Sequence, residues 1–164
     1  MLRANFSVAA LIAAAALLSA CKPSSTSEQA APTPPPPPTP AQVTALVATL
    51  PAPFNTGDVQ NGKERFVQCA ACHTITEGGP NLTGPNLYGV FGRKAGSKAD
   101  FNYSDGLKAA GFTWDAAHIN QWITDPRAMI PGTKMTFVGL PDPKDRIDVI
   151  AYLKSQTTPP PPGT

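Results

Sequence analysis

Two cysteines and a histidine fall close together in the stretch QCAACHTI: Cys69, Cys72 and His73. Such a set could ligate zinc, cycle as a redox dithiol or bind a haem covalently. A structural zinc site takes four ligands, commonly from two separated pairs. Here the third cysteine, Cys21, lies in a different segment, and the other histidine is the lone His118. A thioredoxin-like dithiol opens a helix after a buried strand, yet the upstream residues GDVQNGKERFVQ contain no β-branched apolar run. A histidine directly after the second cysteine is what c-type haem attachment requires, with two thiols adding to vinyl groups and the imidazole placed beside the iron. A CxxCH pattern also arises by chance, so the rest of the chain must decide.

The elements that would position these residues are helical. Residues 58–72 read as a helix with Asp58 favourable at its start and Val59, Gly62, Phe66 and Val67 in one apolar sector. TWDAAHINQWITDP predicts a second helix, with Thr113 as N-cap, Asp115 in the first turn and Pro126 at its end. PDPKDRIDVIAYLKSQ predicts a terminal one, with Asp142 as N-cap, Pro143 first and Asp145 third. Between them, residues 74–106 are rich in Gly, Pro and Asn, with no strand alternation, and need something to wrap.

The N-terminus has Arg3, then an uncharged run from Val8 to Ala20, then Cys21, which is the pattern of an export signal over residues 1–20. That run falls short of the roughly 20 residues needed to span a bilayer. LSAC resembles the bacterial lipobox, which implies lipid on Cys21. Residues 21–55 are dominated by Pro, Ser, Thr and Ala and read as a disordered tether, reaching on the order of 100 Å at about 3.1 Å per residue. VTALVATL within it could make a helical turn or two before Pro51 and Pro53. One domain, 56–157, and a disordered tail, 158–164, complete the chain.

Over that domain the stretches GPNLYGVFGRKAG, FNYSDGLKAAGFTW, IPGTKMTFVGL and IAYLK resemble the class I cytochromes c of the mitochondrial and small bacterial periplasmic kind, in the family's order and spacing. The resemblance implies an all-α cytochrome c fold with crossed N- and C-terminal helices around one covalent haem c. It implies thioethers at Cys69 and Cys72, with His73 and Met135 as axial ligands of the iron. Pro85 would accept the second ring proton of His73. Tyr103 and Trp114 would donate to the propionates with Arg93 nearby, and Thr133 and Trp122 would line the methionine side. Many relatives carry Tyr where Trp122 stands. Gly62 and Phe66 would meet Ile150, Tyr152 and Leu153 at the helix crossing. His118 reads as an ordinary surface or half-buried helix residue.

The chain carries 13 basic and 11 acidic side chains, for a formal charge of +2. Such a balance, without a basic run, excludes a nucleic-acid-binding character. It also leaves few lysines to steer acidic partners from a distance, a task the tether could share by raising effective concentration. The expectation is a monomeric one-electron carrier rather than an enzyme, lipid-anchored on the periplasmic side of a bacterial membrane. By resemblance, a cytochrome bc complex would be the donor, and a terminal oxidase, another reductase or a photosynthetic centre the acceptor. Two rival readings are a haem subunit fixed in a larger complex and a peroxidase-like enzyme with an open iron.

Overall fold

The computed structural model describes residues 36–159. The chain divides between Thr33 and Pro34, and every described residue belongs to the second unit. The residues read as an export signal, Cys21, the expected tether as far as residue 35 and the last five residues lie outside the described part. In order come α1 (Pro40–Ala48), a 3-10 turn (Phe54–Thr56), α2 (Val59–Ala70), α3 (Asp105–Ala109), α4 (Ala116–Thr124), α5 (Pro126–Met129) and α6 (Pro143–Thr157). Among the described residues the only β pairing outside helices is an isolated bridge, Lys94 with Thr113. No described helix is long and apolar enough to cross a membrane.

α2 begins where the sequence places it. The Asp58 carboxylate accepts from the Gln60 and Asn61 N–H groups, which the first turn of a helix otherwise leaves unpaired. α6 likewise starts from Asp142, which accepts from Lys144 N–H, with Pro143 in the first helical position. The two helices cross at Gly62. A Cβ there would fall on the Asp148 carbonyl oxygen, so only glycine lets the backbones approach this closely. Phe66 and Tyr152 pack beside the crossing with ring centroids 5.4 Å apart.

A buried carboxylate locks this crossing. Asp148 is 1 % exposed, and its Oδ1 accepts from Asp58 N–H (2.8 Å) while its Oδ2 accepts from Asn61 (2.6 Å) and Lys144. Burial alone would raise its pKa, but these hydrogen bonds outweigh burial and hold the carboxyl below the usual aspartate range.

Three expectations are corrected. Val67 does not share the buried sector of α2: it is 70 % exposed, about 100° around the helix from Phe66. α4 is capped by Asp115, whose carboxylate accepts from His118 N–H at 2.8 Å, and not by Thr113. The backbone around Thr113 is committed elsewhere, with Trp114 N–H bonded to Arg93 O and Gly92 N–H to Trp114 O. The third correction is the tether's end. Thr39 and Gln42 form a reciprocal capping box, Pro40 takes the first helical position, and Leu46, Val47, Leu50 and Phe54 are buried. α1 and the 3-10 turn both pack on α6, so the folded unit starts near residue 39 rather than 56.

Candidate functional site

The helical coil continues past α2 for one more turn: Cys72 N–H and His73 N–H both donate to Cys69 O, at 3.0 and 2.9 Å. That turn places Cys69, Cys72 and His73 on the wall of one cavity of about 310 Å³. Val149 and Leu153 of α6 and Ile119 and Ile123 of α4 line it too, so the helices supply an apolar floor.

Both cysteines are free. Burial, with a smaller contribution from neighbouring Cys72, pushes the Cys69 thiol up to about 11, so it stays protonated at neutral pH. A reactive dithiol or a thiolate ligand needs the opposite shift. Among the described residues no three His, Cys, Asp or Glu side chains converge as a metal-binding group.

His73 is held in one tautomer. Its Nδ1 lies 2.7 Å from Pro85 O, and a carbonyl only accepts, so Nδ1 carries the proton and Nε2 keeps its lone pair. Burial lowers the imidazole pKa, partly offset by the Pro85 bond, and the ring is neutral. Gly84 lies flat against it: a Cβ there would come within 2.7 Å of the ring nitrogens. The preceding loop is pinned by Gly84 N–H to Cys72 O and Leu87 N–H to Thr74 O.

Met135 reaches the same cavity from the loop between α5 and α6. Its N–H donates to Thr133 Oγ1 at 3.2 Å, and Thr133 and Trp122 also line the cavity. Tyr103 and Trp114, each 8 % exposed, stand on the wall, and among the described residues neither the phenol nor the indole N–H has a hydrogen-bond partner. Arg93 is half-buried, donating to the carbonyls of Tyr88 and Asn86 at 3.2 Å, with no carboxylate at ion-pair distance among the described residues. Burial lowers its pKa, so pairing with an anion would stabilise it.

All ten residues expected to hold or surround the haem border this cavity: Cys69, Cys72, His73, Pro85, Arg93, Tyr103, Trp114, Trp122, Thr133 and Met135. His118 does not. It stacks on Phe112 (4.5 Å, 8° between planes) and bonds to Asp115. The chemistry of the set fits a haem: apolar walls, two thiols, an imidazole with a free lone pair, a thioether, and donors plus a cation with no anionic partner among the described residues. Sequence reading missed Asn86 and Asn81, which brace the loop beneath His73. Their only signal is a side-chain amide in a turn-rich segment.

Comparison with known proteins gives a match to the cytochrome c family model over residues 59–157. The chain is 43 % identical over 116 residues to cytochrome c2 of Rhodomicrobium vannielii, covering 71 % of this chain and 93 % of that one. It is 52 % identical over 96 residues to cytochrome c2 of Rhodoplanes tepidamans, covering 58 % and 90 %. Among solved structures it is similar to cytochrome cH from Methylobacterium extorquens, with TM-score 0.56, 49 % identity and coverage of 60 % of this chain and 98 % of the other.

Proposed function

The chain belongs to the cytochrome c family, and from that premise we propose that it is a monohaem one-electron carrier of a bacterial redox chain, holding its haem c through Cys69 and Cys72. The observation that carries this reading is the convergence of both thiols, the Pro85-bonded imidazole and Met135 on one cavity. When bound, the haem supplies one-electron chemistry, its iron alternating between Fe(III) and Fe(II).

The protein's residues do the rest. Cys69 and Cys72 would hold the haem covalently through two thioethers. His73 offers Nε2 to the iron, its ring fixed by the proton that Nδ1 gives to Pro85. Met135 offers its sulfur, and thioether ligation raises the reduction potential relative to a second imidazole. Arg93, Tyr103 and Trp114 supply the charge and donors that two propionates need in an apolar pocket. Thr133 and Trp122 shape the methionine side. With His73 and Met135 holding the iron, the protein would carry electrons and offer no open site for substrate.

Replacing Met135 tests the ligand assignment. Met135→His is expected to keep a low-spin spectrum while lowering the midpoint potential by a large fraction of a volt in redox titration. An unchanged potential would mean that Met135 is not on the iron.

Donor and acceptor are proposed to be membrane redox complexes, a cytochrome bc complex supplying the electron and an oxidase or other reductase receiving it. The monomer would work on the periplasmic side, held by lipid on Cys21. The support is the export-type N-terminus with its lipobox-like LSAC. One acyl chain holds a protein only marginally, so two or more are required for stable attachment. Fractionation should find the wild type with membranes and Cys21→Ser released. A wild type found wholly in the soluble fraction would sink the anchor and leave the carrier intact.

A further inference from the structure

We infer that Asn86 is a positioning residue for His73: its buried amide ties the backbone following His73 to the loop whose Pro85 carbonyl receives the His73 Nδ1 proton. This rests on the reading of His73 as the iron ligand. The donor strength and orientation of a ligating imidazole depend on the hydrogen bond at its other nitrogen. That bond is only as well placed as the acceptor. Pro85 has no N–H with which to anchor itself, so its carbonyl is fixed by its neighbours.

Asn86, the next residue, is 4 % exposed and uses its backbone and both side-chain polar atoms. Its Nδ2 donates to Thr74 Oγ1 (2.6 Å) and Thr76 O (2.9 Å), directly after His73 in the chain. Its Oδ1 accepts from Tyr88 N–H at 2.9 Å. The amide can stand only this way round, because Thr76 O must accept and Tyr88 N–H must donate. The Asn86 N–H donates to Asn81 Oδ1, and its carbonyl accepts from Arg93. Gly79 closes over the side chain: a Cβ there would lie 2.8 Å from Asn86 Nδ2. One residue thus joins the His73 segment, the Pro85 turn and the Arg93 guanidinium.

The test is proton NMR on the holoprotein, comparing wild type with Asn86→Ala, Asn86→Asp and Thr74→Val. Strongly displaced His73 ring resonances in the oxidised wild type establish ligation independently, and their absence would remove the ligand reading rather than the Asn86 contact. Given ligation, the readout is exchange of the His73 Nδ1 proton relative to the core amides of α2 and α6. Asn86→Ala and Asn86→Asp should both speed it about tenfold with the core amides unchanged, an effect of one or two lost hydrogen bonds. Asn86→Asp retains the acceptor for Tyr88 N–H but not the two donations, so it should do no better than Ala. Thr74→Val should give a smaller acceleration. Exchange that merely tracks the core amides, or an Asn86→Asp variant that behaves as wild type, would overturn the proposal. If neither Asn86 variant retains haem, an unchanged rate in Thr74→Val overturns it and an accelerated one supports it.

Discussion

At His73 the surroundings matter as much as the ring. The CxxCH spacing places the imidazole, but Pro85 selects its tautomer and Gly84 leaves the space it occupies. Gly84→Ala should therefore push the ring off its bond to Pro85, at a cost of about 1–3 kcal/mol, as for other over-packed sites. Thermal melting together with the midpoint potential checks this. A variant with wild-type values of both would show that the ring has room to spare. That the two thiols and the histidine would stand together was legible from residue type and spacing, and that Met135 would reach the same cavity followed from the family resemblance. Asn86 was not legible, since a lone amide in a Gly- and Pro-rich loop has no pattern, and only three-dimensional contact reveals what it joins.

The crossing of α2 and α6 rests on one glycine and one buried carboxylate. The folded-state pKa of Asp148 lies below its unfolded value of about 3.9, so its contribution is present above that pH and is lost as pH falls through the folded value. Asp148→Asn should be less stable near neutrality, because the Lys144 ammonium loses its anionic partner. It should also show a flatter loss of stability on acidification. Urea midpoints between about pH 3 and pH 7 measure both, and an acid limb as steep as the wild type's would assign the acid sensitivity elsewhere. α2 and α6 could be read from caps and spacing because Asp58, Asp142 and Pro143 stand at their starts. The start of α4 was misread because both Thr113 and Asp115 can cap, and the choice was made by the Lys94–Thr113 bridge, a contact between residues far apart in sequence.

For the whole molecule, the segment from Thr39 to Thr56 changes where the folded body begins. Its signals were present, a Thr-Pro-x-Gln capping box and four apolar residues, but the proline-rich run before them masked the pattern. Deleting the residues before Gly57 should uncover the α6 surface beneath α1 and cost on the order of 2 kcal/mol, comparable to one large apolar side chain. In a domain of this size that is a fall in Tm of roughly 8–16 °C. The visible spectrum should not change, because none of residues 39–56 lines the haem cavity. A truncated protein that melts with the full chain would make α1 a passenger. The cavity wall has an optical consequence as well. Both tryptophans of the chain, Trp114 and Trp122, stand on it with ring centroids 5.7 Å apart. A haem seated against them absorbs where indole emits and drains the excited state before a photon leaves. The native protein should be nearly dark in tryptophan fluorescence and brighten as the wall swings away from the macrocycle, giving unfolding its own lamp without an added dye.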